Sequence, residues 1–388
     1  MSGENGLQRI YFSEAMKKRL TFLIRSLENG GAEKQLITLV KNLDQKKFDL
    51  SLICFYGGGV LEKEIEKNSH IRLISLEKKG RWDLVKFWYR LFFYITEIQP
   101  DILYGYLGAS HLMTILLKIF NPSTLMVWGV RSSYVDFSRY DWLESFIFKL
   151  QCFFSRFADL IIVNSYAGRD YHVGHGFPNS KMIVVPNGID TDRYQPKPDL
   201  RAKVRSEWGV ARETFLIGRI GRLDPMKDYP TFLKAAALFY KQRKDARFVC
   251  VGSGTDNYLD ELLQLAKQLG IAEQVIWAGS RSDMPAVYSA LDIACSSSYG
   301  EGFPNVIGEA MACGVPCVVT NVGDSAWIVG DTGIIVTPQD PEALASALLS
   351  CGERNLDEMG QKARIRIVEN FSVDQLVKQT TEVLWQKV

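Results

Sequence analysis

The sequence predicts an α/β fold made of two domains, each with a parallel β-sheet covered by helices. The chain has 388 residues, which is more than one hydrophobic core usually serves. Short apolar runs alternate along it with longer amphipathic segments, a pattern typical of parallel sheets with helices on both faces. A polar segment with two prolines, DTDRYQPKPDL at 190–200, separates two such series. We therefore place the domains at residues 1–190 and 191–370.

Each series contains six or seven predicted strands. In the first series they are RLTFLIRSL, FDLSLICFY, IRLISL, DILYGY, TLMVWGVRSS, LIIVNSY and KMIVVPNGID. In the second they lie within FLIGRIG, RFVCVGSG, QVIWAGS, YSALDIACSSS, VPCVVTNVG and TGIIV. Since helical segments separate the strands, we expect every neighbouring pair of strands to be parallel.

Composition excludes several classes of protein. The net charge of +2 divides into +5 for residues 1–196 and −3 for residues 197–388, which is too weak a basic excess for a nucleic-acid binder. The seven cysteines form no C-x-x-C and only four histidines accompany them, so no zinc spacing emerges. The N-terminus is polar and no apolar run is long enough to span a bilayer. We expect a cytoplasmic protein with buried thiols and no metal.

The stretch Tyr299–Pro316 carries the strongest functional signal. Glu301 and Glu309 are separated by GFPNVIG, between two predicted buried strands. A helix is expected after Pro304 and ends at Gly314, because glycine commonly follows a helix C-terminus. Ionised carboxylates accept hydrogen bonds from sugar and ribose hydroxyls, and the free N–H groups of a helix start suit phosphate oxygens. The alternative is a turn glutamate and a solvated helix glutamate.

A second signal is the loop after the strand that ends at Gly221. Arg222 and Lys227 are two cations five residues apart, and together they suit the negative charge of a departing diphosphate. The alternative is two solvated loop cations. The presence of the paired glutamates, Glu301 and Glu309, favours the functional interpretation of this loop.

Two glycine-rich turns are weaker signals. Gly30 and Gly31 precede a predicted helix, where a phosphate would be favoured, but a plain strand-to-helix turn fits equally. The segment VGSGTDN has Asn257 where a dinucleotide-binding fingerprint needs its third glycine. An NAD-dependent dehydrogenase is therefore disfavoured.

These residues resemble the glutamate–seven residues–glutamate motif and the GR-x-x-x-x-K loop of retaining GT-B glycosyltransferases in family 4, the glycosyl transferases group 1. The resemblance covers nearly the whole chain. It implies two Rossmann-like domains that face a cleft, with the C-terminal helix, residues 371–388, packing back on the first domain. It also implies that Gly30 and Gly31 face the donor diphosphate across that cleft.

The resemblance also implies an activity, namely retaining transfer of a hexosyl group from a UDP- or GDP-sugar to a glycan or lipid-linked acceptor. No metal or other cofactor is implied, since Arg222 and Lys227 take the place of a bound cation. Glu301 would position the sugar and Glu309 the ribose. Backbone groups would complete the donor site around Gly302, Phe303 and Asn305, and near the base at Gly279 and Arg281.

The acceptor side departs from the family pattern. Many relatives carry a histidine at the end of the fourth strand, where this chain has Tyr106, and His111 follows five residues later. His111 is interpreted either as a hydrogen-bonding or acid–base group of the site or as a core histidine. Arg131 either reaches a phosphate or the acceptor, or is an ordinary surface arginine.

One further stretch, residues 78–95, mixes aromatic and basic side chains. Such a mixture can seat a helix at a membrane interface, which would fit a lipid-linked acceptor at the inner face of the membrane. The alternative is a covering helix of the first domain. Two other functions also stay open at this point, a non-catalytic sugar-nucleotide binding subunit of a polysaccharide assembly complex and a nucleotide-sugar epimerase.

Overall fold

The computed structural model describes residues 17–80, 82–133 and 142–387. The start of the predicted first domain, Arg81 of the aromatic stretch and Val388 of the last helix lie outside these residues. Within the described residues no helix combines the length and the apolar character needed to span a bilayer.

The first sheet contains seven strands, all parallel to their neighbours. These are β1 (Lys18–Ile24), β2 (Phe48–Cys54), β3 (Ile71–Ser75), β4 (Ile102–Tyr106), β5 (Leu125–Val130), β6 (Leu160–Val163) and β7 (Met182–Val184). Their order is β3-β2-β1-β4-β5-β6-β7. The helices that connect them are α1 (Gly31–Asn42), α2 (Glu62–Glu66), α3 (Leu84–Ile98), α4 (Gly108–Lys118), α5 (Trp142–Phe154) and α6 (Tyr166–Gly174).

The second sheet contains six strands and is also parallel. These are β8 (Phe215–Ile220), β9 (Ala246–Val251), β10 (Val275–Gly279), β11 (Ile293–Ser296), β12 (Cys317–Thr320) and β13 (Ile334–Val336), in the order β10-β9-β8-β11-β12-β13. The helices around it are α7 (Pro198–Glu207), α8 (Tyr229–Gln242), α9 (Asp256–Gln268), α10 (Met284–Ala290), α11 (Asn305–Ala312), α12 (Ser325–Val329), α13 (Pro341–Gly352) and α14 (Leu356–Phe371). The predicted α/β class with two Rossmann-like parallel sheets is confirmed.

Helices cover both faces of the first sheet. Residues of α1 pack on one face, and residues of α3, α4 and α5 pack on the other. The last helix, α15 (Val373–Trp385), joins the α1 side, where Leu376 and Leu384 are buried in the core of the first sheet. The Trp385 ring lies 5.9 Å from the ring of Phe48.

The chain crosses between the two sheets at two adjacent points. The Ile189 N–H donates to the Phe371 carbonyl at 2.8 Å, and the Val373 N–H donates to the Ile189 carbonyl at 3.1 Å. The Gln35 side chain holds the neighbouring Gly188 through both its N–H and its carbonyl, each at 3.0 Å. The two crossings are therefore tied to each other and to α1.

All seven cysteines are free, and all but Cys152 are buried. Burial raises the pKa of the thiols, to about 12 for Cys54 and Cys295. Thiols held in the neutral form are poor nucleophiles, so the cysteines contribute packing rather than chemistry.

Candidate functional site

The strand order of the second sheet brings two loops together. β8 and β11 are neighbours, and the chain winds outward from them in opposite directions. Ligands of open α/β sheets bind beyond the carboxyl ends of strands at such a switch point. The loop after β8 carries Arg222 and Lys227, and the loop after β11 carries Glu301.

Lys227 and Glu301 meet in this crevice. The Lys227 ammonium lies 2.6 Å from Oε1 of Glu301, and the side chains are 21% and 8% exposed. The Ser298 hydroxyl donates to the same carboxylate oxygen at 2.7 Å. A partly desolvated ion pair with a third partner has a well-defined geometry, unlike a pair at the surface.

Arg222 is not part of this ion pair. Its side chain is 73% exposed, and its guanidinium lies 3.9 Å from the Asp224 carboxylate. Lys227 ends a short turn, Pro225–Lys227, and the Asp224 side chain before this turn accepts from the Met226 N–H. The two cations of the predicted diphosphate site therefore lie on one loop, but only Lys227 is held in the crevice.

Glycines let the backbone of the Glu301 loop approach its neighbours closely. Gly323 has a φ of 54° and lies against the Glu301 carbonyl, so a side chain there would be strained and would clash. A Cβ on Gly302 would lie 2.9 Å from the Ser133 hydroxyl of the first domain and 3.5 Å from that of Ser165. The Glu301 loop is thus pressed against the first domain.

The start of α11 is a further polar feature of the crevice. Pro304 occupies the cap position and, in the part of the chain that the structure describes, no side chain accepts from the N–H groups of Asn305 and Val306, which leaves a suitable place for a phosphate. The Asn305 side chain accepts from the Asn187 side chain at 2.9 Å. Phe303 is buried against Trp327 and Phe371, so only its backbone is available to a donor.

Glu309 lies one turn further along α11, away from Lys227. Its carboxylate accepts from the Tyr288 hydroxyl at 2.8 Å, and the Tyr194 hydroxyl is a second partner. Burial raises the pKa of Glu309 in spite of these two hydrogen bonds. The positive charges of Arg193 and Lys34 act in the opposite direction.

Gly279 and Arg281 lie at the carboxyl end of β10. The Gly279 carbonyl accepts from the Gly252 N–H at 2.8 Å, so it is engaged by the sheet. The Arg281 guanidinium forms ion pairs with Glu207 and with Asp283, the latter at 2.8 Å. These pairs raise the pKa of Arg281 further and hold its side chain, which leaves only the backbone of this loop for a ligand.

The first sheet has its own switch point, between β1 and β4. A cavity of about 390 Å³ lies there, lined by apolar residues of α4 and α5 and by Arg25, Glu33, Arg131 and Glu144. The Glu33 carboxylate folds back on Gly30 at the start of α1, whereas among the described residues no other group occupies the space where a side chain of Gly31 would project. A phosphate at this helix start would therefore have to displace Glu33.

His111 lines this cavity but is buried. Its Nε2 is 3.1 Å from the Gly129 carbonyl and its Nδ1 is 3.0 Å from the Gln151 amide. The Gln151 atom that faces Nδ1 is Oε1. Because the Gly129 carbonyl only accepts, a neutral ring carries its proton on Nε2, and the Gln151 amide is then assigned in the rotated orientation, in which its NH₂ group donates to Nδ1. Burial lowers the pKa of His111 to about 4. The structure therefore favours the core interpretation over a titrating acid–base group.

Tyr106 does not reach the cavity, since its side chain is fully buried in the core of the first sheet. This position disfavours the expected contact of Tyr106 with the acceptor. Arg131 does line the cavity, with its guanidinium 4.8 Å from the centre of the Tyr106 ring. It also donates to the Asn187 side chain at 3.3 Å, which links the cavity to α11 through Asn305.

Asp324 of the second domain caps a helix of the first. Its carboxylate accepts from the N–H groups of Tyr166 and Ala167 at 2.7 and 2.9 Å. The Tyr166 ring packs edge-on against Trp327, with centroids 4.9 Å apart. A carboxylate at a helix start is favourable, so these contacts hold the two carboxyl edges together.

Sequence analysis missed Arg219 and Ser298, which support the Lys227–Glu301 pair. It also missed Tyr288, which bonds to Glu309, and Asp324, which bonds to the first domain. The serine run before Tyr299 is a signal that could have identified Ser298, because hydroxyls at the end of a strand often bond to the following loop. Arg219 gives no such signal, since one arginine within an apolar strand normally indicates an edge or exposed face.

Two family models match the chain, one in each domain. "Glycosyltransferase Family 4" matches residues 29–193, and "Glycosyl transferases group 1" matches residues 214–353. The second matched segment contains both strands of its switch point, β8 and β11, whereas the first contains β4 and begins after β1.

Similar proteins include two curated relatives and a solved structure. The D-inositol 3-phosphate glycosyltransferase of Corynebacterium jeikeium is 37% identical over 203 residues, 49% of this chain and 48% of the relative. The UDP-Gal:alpha-D-GlcNAc-diphosphoundecaprenol alpha-1,3-galactosyltransferase of Escherichia coli is 28% identical over 246 residues, 60% of each chain. The match therefore spans about half to three fifths of the length of these relatives.

The solved structure is that of Anabaena HepE in complex with UDP. Its TM-score is 0.81 with 24% identity, over 96% of this chain and 100% of that one. The predicted GT-B arrangement of the two domains is confirmed by this similarity.

Proposed function

The chain belongs to the glycosyltransferases of family 4 and group 1, and we propose that it transfers a hexosyl group from a nucleoside-diphosphate sugar to an acceptor hydroxyl with retention of configuration. One observation carries the proposal. Lys227 and Glu301 form a half-desolvated ion pair at the switch point of the second sheet, beside the uncapped start of α11. This arrangement offers a cation, a carboxylate and free N–H groups within one crevice.

In the proposed reaction the bond between the anomeric carbon and the diphosphate oxygen breaks. A bond from the acceptor oxygen to the anomeric carbon forms, and the acceptor proton leaves with the diphosphate. Negative charge grows on the diphosphate, where Lys227 and the start of α11 stabilise it. Arg222 is exposed and long enough to close over the phosphates from the rim of the crevice.

Donor binding would exchange one partner of Lys227 for another. Its ammonium now pairs with Glu301, and a phosphate oxygen would replace that carboxylate. Glu301 would keep its hydrogen bond from Ser298 and gain sugar hydroxyls as donors. Glu309, about one turn beyond the start of α11, would accept a hydrogen bond from a ribose hydroxyl.

The names of the relatives support a choice of substrates for this chain. The E. coli relative is named for a UDP-sugar donor and a diphosphoundecaprenol acceptor. We accordingly favour UDP-sugars before GDP-sugars, and a glycan or lipid-linked acceptor bound in the cavity beside Arg131. A cytoplasmic location at the inner face of a membrane would suit both substrates.

A membrane contact is part of this proposal. The helices on the outer side of the first sheet expose many apolar side chains, which we call the aromatic face: Trp82, Leu84, Val85, Tyr89, Phe92, Phe93, Leu116, Ile119, Phe120, Phe146, Phe153 and Phe157. Phe92 of α3 and Phe120 beyond α4 are in edge contact at 5.3 Å, so the face continues from one helix to the next. Exposed cations lie among these residues, namely Lys79, Lys86, Lys149 and Arg156.

Aromatic rings mixed with lysine and arginine suit the headgroup region of an anionic bilayer, whereas the core of a protein interface is depleted in lysine. Replacing Val85 and Phe120 together by serine should reduce flotation with anionic phospholipid vesicles by roughly tenfold, since it removes two apolar groups from the face. Serine at Val60 and Ile365, which are similarly exposed elsewhere, is the matched control. Equal flotation of both double variants, or dimer formation through this face, would contradict the membrane contact.

The activity is tested by release of nucleoside diphosphate from UDP-, GDP- and ADP-sugars, with and without lipid-linked acceptors. We expect release from one donor, stimulated by an acceptor and undiminished by EDTA. Release or conversion of the donor without any joined product would favour the epimerase. Tight binding of a donor without turnover would favour the non-catalytic binding subunit.

A further inference from the structure

Arg219 is a charged residue buried beneath the site. It lies in β8 with no exposed surface. In the part of the chain that the structure describes, no carboxylate lies within ion-pair distance of its guanidinium. Burying an unpaired cation is costly unless its N–H groups are hydrogen-bonded, so its partners indicate what it stabilises.

The partners of Arg219 belong to the two loops of the crevice. One terminal nitrogen, Nη2, donates to the Lys227 carbonyl at 2.7 Å and to the Ser298 hydroxyl at 3.0 Å. Nη1 donates to the Ile220 carbonyl at 2.6 Å, and Nε is 3.3 Å from the Ser297 hydroxyl. The N–H groups of the planar guanidinium have fixed directions, so the side chain joins the end of β8 to the end of β11 in a single geometry.

The direction of the hydrogen bonds can be assigned. A guanidinium only donates, so the Ser298 oxygen accepts from Arg219 and its own proton points to Oε1 of Glu301. In this chain of hydrogen bonds from cation to hydroxyl to carboxylate, each bond polarises the next and so strengthens it. Arg219 therefore orients the carboxylate of Glu301 through Ser298, and the backbone of Lys227 directly.

We infer that Arg219 is a positioning residue for glycosyl transfer, which keeps Lys227 and Glu301 in place when a donor separates their ion pair. The inference rests on the proposed function. On donor binding the Lys227 ammonium leaves Glu301, and the hydrogen bonds from Arg219 and Ser298 then hold the two residues apart at their working positions. The buried positive charge also favours the diphosphate that departs above it.

The test uses Arg219→Lys and Ser298→Ala, with Arg205→Lys as the matched control. Arg205 is a second buried arginine of the same domain, and it donates to the carbonyls of Ala290 and Ala211 away from the crevice. A lysine cannot reproduce the fork at either arginine, so both lysine variants lose stability. Only the variants near the crevice should lose turnover per folded molecule.

For Arg219→Lys we expect kcat to fall by about a hundredfold and affinity for free UDP or GDP by about tenfold, the scale of losing an oriented electrostatic group. For Ser298→Ala, which touches Glu301 and not the phosphate loop, kcat should fall about tenfold with diphosphate affinity unchanged. Arg205→Lys should keep both values. Circular dichroism and thermal melting give the folded fraction of each variant.

If Arg219→Lys and Arg205→Lys melt lower but keep the wild-type kcat per folded molecule, Arg219 has only a structural role and the inference is overturned. The same holds if Ser298→Ala keeps full turnover. If the wild type neither binds a nucleoside diphosphate nor turns over any donor, the proposed function itself fails, and the inference fails with it.

Discussion

The carboxyl edges of the two sheets meet in one cleft, but they are built differently. At the edge of the second sheet, charged side chains are already in contact, with Lys227, Ser298 and Glu301 joined within 2.7 Å. At the edge of the first, a cavity is lined by side chains of both charges and by a neutral, buried His111. Under the proposed function, the comparison teaches that donor chemistry would be fixed by paired groups, whereas acceptor choice would be left to the shape and charge of a cavity.

The largest expected effect is that of Lys227→Ala. Removing a cation that stabilises developing charge should lower kcat by about a hundredfold to a thousandfold. Arg222→Ala is the matched comparison, because Arg222 is on the same loop but exposed, and we expect a loss of about tenfold. Steady-state kinetics of nucleoside diphosphate release measures both. Equal losses in the two variants would mean that the loop closes over the donor and that the resting geometry is not the working one.

The next effect concerns the stability of the folded protein and how it depends on pH through His111, a residue packed beside the first sheet. The pKa of His111 is about 4 in the folded protein and 6.5 in the unfolded chain, so only the unfolded chain takes up this proton between those values. Stability is therefore full above pH 6.5 and falls by up to about 3 kcal/mol as the pH drops to 4. Urea unfolding should show a flatter pH profile for His111→Gln than for the wild type.

Two parallel profiles would mean that His111 takes up a proton as readily in the folded protein as in the unfolded chain, and is therefore available as an acid or base.

A smaller effect is expected at Glu309. Replacing it by alanine should weaken nucleoside diphosphate binding by about tenfold, because a ribose hydroxyl loses a charged acceptor. Affinity for inorganic diphosphate, which has no ribose, is the control and should not change. Isothermal titration calorimetry measures both, and an equal loss for the two ligands would assign Glu309 to the packing of α11 around Tyr288 instead.

Much of the fold was predictable from the sequence because strand runs and helical segments alternate without exception. The strand positions agree with the structure within a few residues, and parallel pairing follows from that alternation. The order of strands within each sheet was not predictable from the pattern, since it depends on long-range packing. It is that order which makes β8 and β11 neighbours and brings Lys227 to Glu301.

The site was predictable in part. Charged residues in glycine-rich loops identified Lys227 and Glu301, and the structure brings these two together. Arg219, which supports this pair, and Tyr288, which supports Glu309, gave no signal, because both lie in apolar segments that are typical of a core. The burial of Tyr106 was not predictable from its place at the end of a strand, since a polar residue there can turn into the core as readily as into a cleft. The roles of the site residues stay predictions.

The central claim is tested most directly by a crystal structure with the nucleoside-diphosphate sugar that the release assay selects. The account predicts a phosphate oxygen within about 3 Å of the Lys227 ammonium, the usual distance of a charge-assisted hydrogen bond. It also predicts that the Lys227–Glu301 pair opens while Ser298 stays bonded to Glu301. A diphosphate bound in the cavity of the first sheet, with the Lys227–Glu301 pair intact, would contradict it.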